Sequence, residues 1–426
     1  MSEILEKVKF VQKDDKILKT FCRNIAYNEH NLFKSVESSD IWKVYGKCRC
    51  GGGDVVNRVE KLRGKMRDNG WTGVLLYSPE NRFYFSGFKG SAGVLFIKED
   101  TQQLITDFRY VDQAKEQSPG FEVLQHQQNM FEVVCQNFSN SSDEVLALEL
   151  GAVPADVYLE IKDRIPHVRL VDVSPVTNEI RMIKDEQELQ YMREAIQICD
   201  AAFTHILGFI RPGMTEQDIG LELELFMKKQ GADKIKANHV IASGPRSCLP
   251  HGQATERVIE VGDFVKMDYG AVVNGYYSDF TRTVVVGEPT DKQLEIYNIV
   301  RHAQEESLKA IGPGKKCSEI DEVGRGIIRA AGYGDNFGHS LGHSLGLAIH
   351  EQPAMRSTDD TVLQEGMVIT VEPGIYIPGF GGVRIEDLVV ITKDGHENFT
   401  KSTKDMQIIA VNKGGNGDEK ETVSVV

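Results

Sequence analysis

Four acids and four histidines in the second half of this chain have the types and spacing that chemistry needs. Asp268 and Asp279 flank Asn274-Gly275, Glu372 and Glu386 flank Gly379, and His251, His339, His343 and His350 lie among them. Asn-Gly between apolar residues is the strongest short-range signal for a two-residue hairpin turn. With that turn, Val273 faces Tyr276, Asp268 faces Thr281 and Asp279 faces Gly270. The two aspartates then share one face as diagonal cross-strand neighbours, about 7–8 Å apart at the backbone and closer at their tips. Carboxylates that point together repel, and cations between them relieve the repulsion. Glu372 and Glu386 are symmetric about Gly379, so a short loop centred there sets them opposite each other across a second hairpin.

Four carboxylates and an imidazole form a hard, oxygen-rich set. It suits Mn²⁺, Co²⁺ or Mg²⁺ better than a thiolate-preferring metal. Two such cations about 3.5–4 Å apart can share carboxylates and polarise a bridging water, which yields a hydroxide nucleophile near neutral pH. Any one acid alone reads as a surface charge, and any one histidine as a packed or solvated side chain. The set does not, because strands with apolar faces do not carry four inward acids without counter-charge. The stretch from Gly338 through Gly342 to Gly346 is too glycine-rich for a stable helix. His339 and His343 are therefore poor candidates for a helical zinc pair.

Positioning these residues requires a repeated scaffold. A helix from Asp185 to Leu207 carries the stripe Leu189, Met192, Ile196, Cys199, Phe203 and Ile206. It runs into Ile210, Pro212 and Gly213, then into a second helix through Ile219 that ends at Gly231. A helix from Asp291 to Ala310 runs into Ile311, Pro313 and Gly314, then a second helix through Ile320 that ends at Gly332. Ile210, Pro212, Gly213, Ile219 and Gly231 thus recur at one common offset, and each helix pair is followed by a strand-rich stretch with two acids. Two similar α/β halves about a pseudo-twofold axis follow, with a site between them.

Residues 55–175 alternate helix and strand signals. Val59, Leu62 and Met66 mark a helix, and Gly73–Tyr77, Gly93–Ile97, Gln103–Thr106 and Val145–Glu149 mark strands. They read as one α/β domain without a catalytic constellation; Asp107, Arg109 and Tyr110 cluster there, which reads equally well as a solvated strand end. Residues 1–54 end in Cys48, Cys50 and three glycines and read as an extra segment with a flexible joint. Residues 413–426 read as a polar, disordered tail.

Composition bounds the function. The chain has 426 residues, 41% of them hydrophobic, which supports a packed core and about two to three domains. A net charge of −14 argues against a nucleic-acid binder that works through a broad basic surface. No apolar run approaches a membrane span, and the first residues lack a signal-peptide core. Seven scattered cysteines without a zinc-type double pair suggest reduced thiols in a cytoplasmic protein.

On these residues the sequence resembles the creatinase/methionine aminopeptidase superfamily, the M24 "pita-bread" metallopeptidases, in its Xaa-Pro branch of aminopeptidase P and prolidase. The motifs that carry the resemblance are Leu249-Pro250-His251-Gly252, Asp268-Tyr269-Gly270, Tyr277-Ser278-Asp279, Gly342-His343, His350-Glu351, Val371-Glu372-Pro373-Gly374 and Arg384-Ile385-Glu386-Asp387. It spans residues 55–412. It implies an α/β protein: a C-terminal pita-bread fold with pseudo-twofold halves at residues 180–412, preceded by a smaller creatinase-like α/β domain at 55–175. It implies two divalent ions, Mn²⁺ first with Co²⁺ or Zn²⁺ as alternatives. Asp268 would chelate one ion, His343 and Glu372 the other, and Asp279 and Glu386 would bridge both. His251 and His350 would line the substrate site and stabilise the tetrahedral intermediate, Glu372 would serve as acid/base, and His339 would lie at the substrate. Arg384 would orient Glu386, anchor substrate charge or form a structural salt bridge.

Two positions depart from the family pattern. Ser344 stands where a glycine usually follows the ligand histidine. Ala354 stands where several prolidases carry an arginine that holds a dipeptide's free carboxylate. The second departure favours an Xaa-Pro aminopeptidase that accepts longer proline-containing peptides, with Xaa-Pro dipeptidase (prolidase) as the alternative and Arg356 or an N-terminal-domain residue as a substitute anchor. A metal-free pita-bread binding protein is a further alternative, disfavoured because all five ligand positions are present. The resemblance also suggests a homodimer.

Overall fold

The computed structural model describes residues 52–138 and 144–411. Cys48, Cys50 and the 413–426 tail lie outside them. The chain divides into two units, Met1–Val56 and Asn57–Val426, and the architecture below is that of the second.

The N-terminal part is a six-stranded mixed sheet ordered β4-β3-β2-β1-β5-β6. Its strands are β1 (Gly73–Leu76), β2 (Val94–Ile97), β3 (Gln102–Thr106), β4 (Glu122–Gln125), β5 (Val145–Leu148) and β6 (Arg169–Asp172). Helix α1 (Gly52–Asn69) buries Val59, Leu62 and Met66, the stripe read from sequence. Five further helices follow: α2 (Pro79–Ser86), α3 (Val111–Gln117), α4 (Met130–Cys135), α5 (Ala155–Arg164) and α6 (Ser174–Met182). The central strands β1, β2 and β5 are buried throughout, which is why they read as apolar runs. Strands β4 and β6, which sequence reading did not find, are the two sheet edges, and the end residues of each are exposed. An edge strand needs neither an apolar run nor strict alternation, so periodicity is silent there.

The C-terminal part repeats one theme twice. Helices α7 (Glu186–Leu207) and α8 (Glu216–Lys229) form the first pair, and α9 (Asp291–Ala310) and α10 (Cys317–Ala330) the second. Gly213 and Gly314 take φ of 92° and 81°, and their N–H groups donate to Ile259 and Leu363 carbonyls at 2.9 and 2.8 Å. The repeated Pro-Gly therefore turns the chain identically in both halves. The first half carries β7 (Lys234–Ile235), β8 (Val240–Ser243), β9 (Phe264–Tyr269), β10 (Ala271–Val273), β11 (Tyr276–Tyr277) and β12 (Phe280–Val286). The second carries β13 (Gly342–Ser344), β14 (Glu351–Met355), β15 (Val368–Val371), β16 (Gly374–Ile377), β17 (Gly381–Arg384), β18 (Asp387–Thr392) and β19 (Gly395–Asn398). The last strand, β20 (Gln407–Ile409), returns to pair in parallel with β12. The main sheets run β20-β12-β9-β8 and β14-β13-β15-β18-β19. This is the pita-bread fold, with the creatinase-like domain ahead of it. Among the described residues, no helix is long and apolar enough to cross a membrane.

Both hairpins have the register read from sequence. Val273 pairs with Tyr276 and Asp268 with Thr281, across a turn whose Asn274 and Gly275 have φ of 49° and 87°. In the second, Val371 pairs with Asp387 and Gly374 with Arg384. Glu372 and Glu386 therefore sit opposite one another in the break between two strand pairs. His343 lies on β13, beside a register irregularity against β14 that ends the regular ladder. The strand before it depends on Gly342: a Cβ there would lie 1.9 Å from the Thr370 carbonyl oxygen.

Gly342→Ala should thus destabilise the fold by about 1–3 kcal/mol through overpacking. Gly338→Ala, in open space, should not. Thermal unfolding of the two variants checks the difference.

Candidate metal and substrate site

The two hairpins and β13 bring Asp268, Asp279, His343, Glu372 and Arg384 to one cavity of about 880 Å³, with Glu386 buried directly beneath. His251, His339 and His350 line the same cavity. Its opposite side comes from the N-terminal domain, including Ser78, Asn81, Glu149, Asn178 and Arg181. That domain thus supplies a wall of the cavity, in keeping with the expectation that one of its residues could stand near the substrate.

Ligand atoms of Asp279, His343 and Glu386 lie within 4.8 Å of one another. His343 Nδ1 is 3.1 Å from the Ser344 carbonyl oxygen, which can only accept, so Nδ1 carries the proton. Nε2 is then a bare lone pair, yet it faces Glu372 Oε1 at 3.3 Å and Asp279 Oδ2 at 3.7 Å. Glu386 is 1% exposed. Its Oε2 accepts from Thr281 Oγ1 at 2.7 Å, while its Oε1 is buried with no partner. An acceptor nitrogen and an orphaned carboxylate oxygen this close together suit a cation. The residues fit a divalent metal ion.

The electrostatics agree. Burial pushes Glu372 up to about 8; Arg384 opposes the rise, and the charges of Asp279 and Asp268 add to it. Burial, then Asp279, Glu372 and Asp268, push Glu386 well above the carboxylate range. A cation among the acids reverses that sign. Asp268 behaves differently. Burial would raise it, but Lys236 and Arg384 outweigh burial and hold it well below the usual range. Both make close ion pairs with it.

Arg384 is committed. Its NH1 donates to Tyr376 Oη at 2.9 Å and to the Pro250 carbonyl at 3.2 Å, its Nε donates to Thr281 Oγ1 at 3.2 Å, and its NH2 pairs with Asp268. Of the three roles open to it, the geometry shows the structural salt bridge, made to Asp268 and not to Glu386. His339 is committed as well. Its Nδ1 donates to the Ser340 carbonyl at 2.8 Å, and its Nε2 accepts from Tyr376 Oη at 2.9 Å. Burial lowers its pKa to about 3. His339 therefore orients Tyr376, and through it Arg384, so both ring nitrogens are spoken for on the protein side. His251 and His350 are exposed to the cavity. Burial lowers the pKa of each, so both rings are neutral near pH 7. The His350 ring stands 4.4 Å from that of His343.

A profile of metallopeptidase family M24 matches residues 190–393, and one of the creatinase/prolidase N-terminal domain matches residues 58–183. The Xaa-Pro dipeptidase of Pyrococcus furiosus is 40% identical over 350 residues, 82% of this chain and 99% of that protein. The chain belongs to metallopeptidase family M24. A Bacillus subtilis relative named only as an uncharacterized peptidase is 43% identical over 83% of this chain and 100% of its own length. Among solved M24 structures, the Xaa-Pro dipeptidase from Bacillus anthracis matches at a TM-score of 0.79 and 45% identity, covering 83% of this chain and 99% of that one. The X-Pro aminopeptidase from Thermotoga maritima matches at 0.77 and 37%, covering 82% and 99%. These relatives place the chain in the Xaa-Pro peptidase branch of the family.

Three features of this M24 site escaped the sequence. Lys236 lies against Asp268 and Asp279. Tyr376 links His339 to Arg384. Glu351, next to His350, takes Arg181 and Lys184 as ion partners across the domain boundary. Tyr376 had a local signal, as the alternate residue of a strand beside Glu372, and Glu351 stood in the His350-Glu351 motif without its partners being legible.

Asp279→Asn should remove one candidate ligand without removing the fold. Mn²⁺ affinity should fall at least about 100-fold, beyond the usual loss for a supporting residue. Elemental analysis after dialysis, beside an unchanged circular dichroism spectrum, tests this.

Proposed function

We propose that this protein is a divalent-metal-dependent Xaa-Pro dipeptidase that hydrolyses the bond between a first residue and proline. The carrying observation is the orphaned oxygen of Glu386 beside Asp279 and the bare Nε2 of His343, at the floor of a cavity closed by a second domain. Relatives named Xaa-Pro dipeptidase, similar over nearly their whole length, support dipeptides as substrates.

Asp268, Asp279, His343, Glu372 and Glu386 are the ligand set of this reading, and Mn²⁺ is the ion. When bound, divalent ions supply Lewis-acid polarisation and acidify water at neutral pH. The chain's own groups do the rest. Glu372 accepts the proton of the attacking water and delivers it to the proline nitrogen as the C–N bond breaks. Neutral His251 and His350 donate N–H bonds to the carbonyl oxygen as negative charge develops there. His339 and Tyr376 hold Arg384, which holds Asp268. The reading includes a homodimer, from the resemblance, and a cytoplasmic setting, from the thiols.

One observation favours the sequence-based preference for aminopeptidase P. Ala354 lines the cavity directly opposite His343 on β14, so no arginine projects there. Arg356, offered as a substitute anchor, is exposed and does not line the cavity.

Chelator-treated protein with Mn²⁺ restored should cleave Xaa-Pro with a kcat/KM at least about tenfold above Xaa-Pro-Yaa-Yaa, about 1.4 kcal/mol of discrimination. Chelation should abolish both activities. Preferential cleavage of the tetrapeptide would establish the aminopeptidase reading instead, and the Ala354 argument with it.

A further inference from the structure

Lys236 has no use in the ligand set. Its position is fixed by backbone register. Strand β7 pairs with β10, Ile235 opposite Ala271, and the Lys236 N–H donates to the Gly270 carbonyl at 2.8 Å. On its other side, Gly270 is one step beyond the Tyr269–Phe280 pair and so stands opposite Asp279. Lys236, Gly270 and Asp279 thus form one cross-strand row, and side chains of such a row share a face. Gly270 has no side chain to separate the other two; a Cβ there would lie 3.3 Å from the Lys236 Cβ. The lysine reaches over it, and its ammonium bridges Asp268 Oδ1 and Asp279 Oδ1.

The charges around the pocket can be balanced. Asp268, Asp279, Glu372 and Glu386 bring four negative charges, and the ion pairs of Arg384 and Lys236 return two. One divalent ion neutralises the remainder. Two ions would leave the pocket net positive, against the ammonium in direct contact with both aspartates. The donor atoms are divided in the same way. The unsatisfied Glu386 Oε1 lies with Asp279 and His343, whereas both oxygens of Asp268 already have cationic partners.

We propose that Lys236 takes the place of the second divalent ion: its ammonium fills the Asp268 side, and the protein binds one divalent ion tightly, at Asp279, His343 and Glu386. This rests on the metal-dependent reading above and replaces the two ions that the family resemblance implies with one. Lys236 is a positioning residue here, holding the two aspartates together where a metal otherwise does.

The test counts ions on the full chain. Metal-free protein is dialysed against graded Mn²⁺ and analysed for manganese per chain, with electron paramagnetic resonance on the same samples. The wild type should take up one Mn²⁺ with the spectrum of an isolated ion, and any second at least about tenfold more weakly. Lys236→Met should bind two with matched affinity and show a spin-coupled pair. Lys236→Arg, which keeps the charge, should stay at one. Two matched ions in the wild type, or a single ion in a folded Lys236→Met, would overturn the proposal. The wild-type count decides the matter even if the methionine variant does not fold. Hydrolysis is scored separately. One ion with no cleavage of any Xaa-Pro peptide sinks the peptidase reading alone, and two matched ions with cleavage sink this inference alone.

Discussion

Four carboxylates converge on one buried pocket, and like charges held that closely out of water repel. The rest of the C-terminal domain can be read as the means of holding them there. The acids sit on hairpins whose registers leave them no freedom to swing apart. The hairpins are stitched together behind the pocket: the Glu386 N–H donates to the Thr281 carbonyl at 3.1 Å, and the Thr283 hydroxyl bridges the Arg384 backbone. Beneath them, buried Arg282 donates to the Glu386 carbonyl and pairs with Asp387, which also holds Lys404 and Asn398. A buried ion pair of this kind contributes little as attraction alone. Removing one partner, however, strands the other, at about 3–5 kcal/mol. The frame is therefore rigid where the repulsion acts.

Cations distribute that repulsion unevenly, and the unevenness defines roles. Asp268 has Arg384 and Lys236, and it stays ionised far below neutral pH. Glu372 has only the more distant Arg384 Nε, at 3.8 Å, and Glu386 accepts from the Thr281 hydroxyl; without a metal both hold protons more tightly than ordinary carboxylates. A group that gains a proton when the ion leaves and loses it when the ion binds couples metal loading to proton release. The histidines divide the same way. His339 and His343 each spend Nδ1 on a backbone carbonyl, which fixes the tautomer. His339 gives its remaining lone pair to Tyr376, and His343 turns its own toward Glu372 and Asp279.

The legible features were local or repeated. Asn274-Gly275 fixes a register because turn chemistry operates within four residues, and that register alone placed Asp268 and Asp279 on one face. The Pro-Gly repeat was legible because both halves solve the same backbone problem, with the same positive φ at Gly213 and Gly314. What could not be read was set by distant partners. Strand β7 has two residues, too short for any period, yet it delivers Lys236. Strands β4 and β6 carry edge patterns that resemble loops. Arg384 had three roles open to it, because nothing in the spacing tells whether a guanidinium reaches an acid two residues away or one on another strand.

The contact between domains bears on substrate length more directly than any single side chain in the cavity. Glu351 follows His350. Burial alone would raise its pKa, but Lys184 and Arg181 outweigh burial and keep it ionised. Arg181 continues to Asn81 Oδ1 at 3.1 Å, Asn81 to Glu149 Oε1 at 2.6 Å, and Glu149 gathers the N–H groups of Tyr77 and Ser78. One polar chain therefore runs from the residue beside a proposed oxyanion donor to the start of helix α2, lining the cavity along the way. Every link is at least half-buried, so each group depends on the next for its hydrogen bonds. Under the dipeptidase reading proposed above, a substrate that reached past this wall would displace the chain and leave an ion or amide unpaired. Selectivity for short peptides would then come from a wall that resists opening, without an arginine at Ala354.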